Sequence, residues 1–431
     1  MQVKDHSVQY MSTAVRTELG ELPADWNVVS LGAFDPFVTS GSRGWADYYS
    51  DIGSPFLRIT NLSRSRVYPS LKDLRYVAVP LDNSEGVRTA LKIGDVLISI
   101  TADIGIIGLV TNEIDLPAYI NQHIALVRLA DREVYSQYIA YFLAGAVAQR
   151  RFKAMTDAGA KAGMNLTGVR EVLVAVPPTI DEQRTIAAAL TDADALIDSL
   201  EQLLTKKRQI KQGAIQELLT GKRRLPGFSG NWDEVALGTL LHSRPDYGIN
   251  APAVRYTPSL PTYLRITDID DEGRFLAGSA VSVNRPDAEL YYLNPGDVVF
   301  ARTGASVGKS YLHKKSVGPL VFAGFLIRAQ PIATKLVPAY LFYFSQTQRY
   351  WKWVTLMSMR SGQPGINGQE LATMAIPLPL IDEQHAIASV LEDLDAEIDT
   401  LEARLAKARH LKQAMAQALL TGRIRLMEPN A

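Results

Sequence analysis

Residues 180–221 read IDEQRTIAAALTDADALIDSLEQLLTKKRQIKQGAIQELLTG, and residues 381–422 read IDEQHAIASVLEDLDAEIDTLEARLAKARHLKQAMAQALLTG. The two stretches stand 201 positions apart, and 26 of 46 positions are identical when 180–225 is laid without gaps on 381–426. That is an internal duplication, and an unread repeat misassigns a whole fold. Its period is far longer than the roughly 20–45 residues of a solenoid unit. The chain therefore holds two similar modules rather than a stack of small ones.

Each copy carries apolar residues at alternating 4-3 spacing. In the first they are Ile186, Leu190, Ala193, Ile197, Leu200 and Leu204; in the second Ile387, Leu391, Leu394, Ile398, Leu401 and Leu405. Spacing near 3.5 puts an apolar seam on one helix face, as a coiled coil needs. Pro177-Pro178, and Pro377 with Pro379, keep anything helical from running in from upstream. Asp181 and Asp382 are placed to cap the starts, and Gly221 and Gly422 to end the helices. About 40 residues at 1.5 Å each give a rod of roughly 60 Å. Lys207, Lys211 and Lys412 fall on the seam. Either they set register at some cost in stability, or the seam drifts locally onto Ile210 and Leu411.

Charge dictates how the rods pair. From 181 to 201 the first has six acids against Arg184, and from 206 to 224 seven bases against Glu217. The second has eight acids through Glu402, then six bases. A helix dipole favours the same signs, but its effect fades within the terminal turn. Antiparallel pairing sets acidic half against basic half along the whole seam.

Working outward, the blocks before each rod repeat more loosely. Trp26 with Leu31-Gly32 matches Trp232 with Leu237-Gly238, and Leu57-Arg58-Ile59-Thr60 matches Leu264-Arg265-Ile266-Thr267. Gly94-Asp95-Val96 matches Gly296-Asp297-Val298, and Gly163-x-Asn165 matches Gly365-x-Asn367. Val28–Leu31, Asp95–Ile100 and Asp297–Phe300 read as strands, the last two opened by Gly-Asp turns. Tyr138–Leu143 and Tyr340–Phe344 read as helices that continue to Arg150 and Arg349. The expected fold is α/β: two mixed α/β domains separated by two long antiparallel coiled-coil helices, a pseudo-two-fold internal repeat. The boundaries are an N-terminal segment 1–20, a first block 21–180, a central helix and linker 181–225, a second block 226–380, a distal helix 381–426 and a tail 427–431.

Composition narrows the function. The chain has 431 residues, no cysteine and six scattered histidines, so disulfides, thiolate metal sites, a cysteine nucleophile and an H-E-x-x-H zinc helix are excluded. No run is apolar enough to span a membrane, and no basic-then-apolar leader opens the sequence, so a cytoplasmic protein is expected. With 45 bases against 45 acids the net charge is zero. The distribution is not even: residues 298–369 hold nine bases and no acid, with Tyr311, Trp351 and Trp353 among them. Phosphate binding needs local Lys and Arg rather than a basic whole, and the acidic rod halves cancel the sum without cancelling the patch. A merely solvated basic face has the same composition.

The candidate DNA contacts in the first block are Arg58, Arg64, Arg66, Arg75, Thr101, Lys161 and Asn165. In the second they are Arg265, Arg302, Thr303, Ser306, Lys309, Lys314, Lys315, Arg360, Gln363 and Asn367. Residues 304–310, Gly-Ala-Ser-Val-Gly-Lys-Ser, look like a phosphate-cradling loop. They fall one residue short of the nucleotide-binding spacing, and Gly318-Pro319 precludes the helix that should follow. Asn165, Asn367 and Gln363 carry amides able to read adenine, or are ordinary turn residues.

Two variable blocks alternating with near-identical helical tails that begin I-D-E-Q and end L-L-T-G resemble the specificity subunit of type I restriction-modification systems, from about Glu21 to Leu426. The resemblance implies two target recognition domains, each reading half of a split double-stranded DNA site. It implies helices that set the gap and dock two methyltransferase subunits, with restriction (motor-nuclease) subunits joining through those. It also implies a chain with no catalytic residue, no metal and no cofactor of its own, since S-adenosylmethionine and ATP bind the partners. Consistent with that, Phe34-Asp35-Pro36-Phe37 lacks the second proline of an adenine-methyltransferase box. A free-standing DNA-binding or scaffold protein, or a nuclease with an unfamiliar site, remains the alternative.

Overall fold

The computed structural model describes residues 7–11, 13–80, 82–101, 103–129, 134–157, 163–359 and 363–427. The chain divides into two compact units: Met1–Glu201 with Arg404–Ala431, and Gln202–Ala403. Both boundaries fall inside long helices, so each unit contains the start of one helix and the end of the other. These helices, Ile180–Leu218 and Ile381–Leu419, are 39 residues each.

The first unit is built on two four-stranded sheets. One runs Ile107–Leu109, Val96–Ser99, Ile124–Arg128, Phe37–Ser40, all antiparallel. The other runs Tyr119–Ile120, Ser54–Leu57, Arg75–Val77, Tyr49–Ser50, with its first pair parallel. The second unit repeats both, strand for strand. Its sheets run Ser310–Leu312, Val298–Ala301, Leu326–Ala329, Asp246–Tyr247, and Leu320–Phe322, Thr262–Leu264, Val281–Val283, Ala253–Arg255. The duplication thus reaches through the blocks where sequence identity has faded. Two additions in the first unit break the match: Ser7–Tyr10 pairs antiparallel with Ile424–Met427, and Ala14–Thr17 with Gly20–Pro23.

The predicted strands form, but the predicted block helices are each broken in two. Ser136–Ala144 stops at Gly145, which takes extended backbone, and Ala146–Asp157 follows. Gln149 offsets the break by donating from Nε2 to the Leu143 carbonyl, 2.8 Å away. Pro338–Phe344 is likewise followed by Gln348–Ser358, whose start is capped by Thr347 accepting from the Tyr350 N–H at 3.1 Å. The rod starts also differ. Helix begins at Ile180 and Ile381, so Asp181 and Asp382 lie inside the first turn, where they favour the dipole instead of capping it. Thr179 Oγ1 accepts from the Glu182 N–H in the first rod. Gly221 and Gly422 do terminate the rods, with φ of 69° and 63° that an L side chain rarely adopts.

The seam residues are buried or half-buried, while Ile210 is 45% and Leu411 58% exposed. The drift alternative for the seam lysines is therefore ruled out. Lys211 is buried against Asp395 (2.6 Å) with its ammonium over the Tyr343 ring, and Lys412 pairs with Asp194. The charge gradient pairs antiparallel in both units: Arg409 with Glu201 in the first, Arg208 with Glu402 and Lys207 with Glu397 in the second.

The shared motif now has a physical reason. The buried Gln183 accepts from the Tyr135 N–H (2.8 Å), and Gln384 does the same for Val337 (2.9 Å), so each rod start grips its own block. Glu182 and Glu383, also buried, receive two-toothed pairs from Arg425 and Arg224, which follow the opposite rod's end. Ile186 and Leu190 enter the main core of the first unit, Ile387 and Leu391 that of the second. Full burial of such a side chain contributes about 1.5–3 kcal/mol.

Candidate nucleic-acid interface

Many of the candidate cations are committed internally. Arg66 bonds Asp198 (2.8 Å) and Glu201 (3.3 Å) of the rod, as its counterpart Arg274 bonds Asp399 (3.0 Å) and Glu402 (2.9 Å). Arg265 clasps the fully buried Asp268 through Nε and Nη2 at 2.9 and 2.7 Å. Arg64 reaches Asp103, Gln149 and the Ile104 carbonyl. Lys309 sits 2.5 Å from Asp271 and holds that carboxyl below its usual value. Arg58 donates to the Asp73 carbonyl at 3.1 Å. The basic stretch of the second unit also spends Arg328 on Asp246 and Arg349 on Glu234.

Other candidates stay outward. Arg75 and Lys315 are exposed with no ion pair among the described residues, and Lys314 reaches Glu392 only at 3.7 Å. Lys161 and Arg360 lie outside the described residues. Asn165 and Asn367 are helix caps: their Oδ1 atoms accept from Gly168 (2.7 Å) and Glu370 (2.8 Å), and Glu370 returns a bond to the Asn367 N–H. Residues 304–310 lead into a strand rather than a helix, through a short turn at Gly304–Ser306 whose Ser306 carbonyl accepts from the Lys309 N–H at 3.0 Å.

One arrangement recurs at the same place in both units. In the first, the Ile100 N–H donates to the His123 carbonyl (2.9 Å), and its carbonyl accepts from Met164 (2.8 Å). In the second, the Arg302 N–H donates to Phe325 (3.0 Å), and its carbonyl accepts from Ile366 (2.8 Å). Glycines make the frame possible. A Cβ on Gly41 would stand 2.0 Å from the Ile120 carbonyl, and one on Gly248 2.1 Å from that of Phe322. Those glycines let a loop run parallel to the neighbouring strand end, with Ser42 bridging Asn121 and Ile249 bridging Ala323.

The frame is the same, yet it carries different chemistry. In the first unit Ile100 is buried. The polar groups there are Thr101 and His123, 2.5 Å apart between Oγ1 and Nδ1, with Gln122 Nε2 3.1 Å from the other ring nitrogen. In the second unit Arg302 lies over the Tyr247 ring, 4.6 Å from its centroid, with Phe325 59% exposed on the adjoining loop. Thr303 bridges Gly365, and Gln363 lies exposed against Gly304. Tyr247, Phe325 and His123 were missed from sequence, because loops of different length separate them from the motifs that align. Among the described residues no group of three or more His, Asp or Glu is placed to hold a metal ion, and no helix is long and apolar enough to cross a membrane.

Comparison with known proteins gives one answer. Residues 47–212 and 262–409 match the type I restriction modification DNA specificity domain. The MjaX type I restriction enzyme specificity subunit of Methanocaldococcus jannaschii is 25% identical over 95% of this chain and 96% of its own length. The EcoKI specificity subunit of Escherichia coli is 27% identical over 68% of this chain and 67% of its own. Among solved structures, the type I restriction-modification S subunit from M. genitalium superposes with a TM-score of 0.59 at 13% identity, covering 91% of this chain and 96% of that one. The matches fall on both halves of the duplication and cover most of the chain, which therefore belongs to the type I restriction-modification specificity subunit family, with the DNA specificity domain present twice.

Proposed function

We propose that this chain is the sequence-reading subunit of a type I restriction-modification complex. Each unit reads one half of an asymmetric two-part DNA site in the major groove, where all four base pairs are distinguishable. Phosphate contacts from exposed bases such as Arg75 and Lys315 fix register. The rod helices set the gap and dock two methyltransferase subunits, through which restriction subunits join. S-adenosylmethionine and ATP belong to those partners. The observation that carries the reading is the recurrent backbone frame, which holds Ile100 and His123 in one unit and Arg302 and Phe325 in the other. Equal scaffolds with unequal side chains are what an asymmetric site requires.

Mapping methylated adenines genome-wide, with and without this chain, tests it. The expected result is a two-part motif that vanishes with the chain; methylation that persists unchanged refutes the reading. The gap-setting role has its own test. Four residues inserted into both rods add roughly 6 Å. The preferred gap is expected to lengthen by about one or two base pairs at ~3.4 Å each, and a constant gap removes the role.

A further inference from the structure

We propose that Arg302 determines the base read by the second unit, selecting a guanine, and that Tyr247 is the residue that positions it. This rests on the DNA-reading function above.

Arg302 differs from its basic neighbours in what it faces. Arg265, Arg274, Arg328, Arg349 and Lys309 each face a carboxylate. Among the described residues none pairs with Arg302, and its Nε is buried without a hydrogen-bond partner. Its backbone is pinned on both sides, through the Phe325 carbonyl and the Ile366 N–H. Its guanidinium lies over Tyr247, and Tyr247 is itself fixed because its hydroxyl accepts from the Gly368 N–H at 2.8 Å. A long side chain that is normally mobile is thus held at both ends, with its charge unspent.

The chemistry of a held guanidinium points to one base. It can only donate, and two of its coplanar N–H groups match O6 and N7 of guanine on the major-groove edge. A phosphate is the competing anion for such a group. The repeat argues for the base: the first unit fills the same backbone position with the buried Ile100 and places His123 on the adjoining loop. A phosphate contact is needed at both half-sites equally, whereas a base-reading position has reason to differ between them.

The experiment maps methylated adenines made by the assembled complex carrying the wild-type chain, Arg302→Gln, Tyr247→Phe or Tyr247→Ala. The wild type is expected to require a G·C pair at one position of one half-site. Arg302→Gln should relax that position, or turn it toward adenine, roughly tenfold or more, with the other half-site unchanged. Tyr247→Phe keeps the ring but loses the bond from Gly368, so it should keep most of the requirement; Tyr247→Ala removes the ring and should relax the same position, by a smaller factor than Arg302→Gln. If Arg302→Gln abolishes methylation, binding of the purified complex to the matched duplex and to one with that pair exchanged gives the answer. A collapsed ratio between the two duplexes supports base reading. An unchanged ratio, even with weaker binding to both, overturns it and makes Arg302 a phosphate contact. A Tyr247→Ala chain that is less stable but as selective as wild type overturns the positioning role. A wild-type complex that marks no two-part site overturns the DNA-reading function, and this inference with it.

Discussion

Residues identical in type play opposite parts here, and their partners decide which. Asn165 and Asn367 invite a reading as adenine contacts, yet their oxygens cap short helices. Arg66 sits in a basic cluster, yet its charge goes to Asp198 and Glu201 more than 130 positions away. A sequence displays a side chain's donors and acceptors but not what they face. His313 shows a consequence for pH. It is buried, near the Tyr311 hydroxyl, and burial lowers its pKa below the ordinary 6.5. The unfolded chain therefore binds this proton more readily than the folded one. His313 stabilises the second unit above about pH 6.5, and that contribution is lost as pH falls through the folded value. Asp297, raised by its own burial, runs the other way at lower pH. Thermal unfolding between pH 7 and 5 should show the midpoint falling, and His313→Asn should flatten the slope. A midpoint equally pH-dependent in the variant assigns the effect elsewhere.

At the scale of elements, the rods follow from periodicity and charge, both of which are local. Their seam lysines do not. A lysine at an apolar position is tolerated only opposite a carboxylate, and the pairs Lys211–Asp395 and Lys412–Asp194 supply one in each unit. Such a pair adds little net stability over an apolar pair but is costly to break. Lys211→Met leaves Asp395 largely buried and uncompensated; allowing for its residual exposure, the expected loss is about 2–3 kcal/mol. Adding Asp395→Asn, which still accepts from the Tyr343 hydroxyl, should restore much of that loss. A chemical-denaturation double-mutant cycle measures the coupling, and strictly additive losses mean that the two groups do not act as a pair.

For the whole molecule, duplication is the governing fact. Each unit has its own main core and its own rod ends, so each block is expected to be exchangeable. Replacing residues 239–375 with the matching stretch of a relative should change one half of the methylated motif and leave the other. A change in both halves means that the blocks do not read independently. The sequence by itself determined the repeat, the two helices, their seam and their antiparallel sense, because spacing and sign of charge along one helix are properties of consecutive residues. Only the tertiary structure decided that the blocks match strand for strand, that Lys309, Arg328 and Arg349 of the basic patch are spent on distant carboxylates, and that one backbone frame carries Ile100 in one unit and Arg302 in the other. Those outcomes depend on contacts between residues far apart in the chain, and no local pattern encodes which of several equivalent charges a folded chain will neutralise.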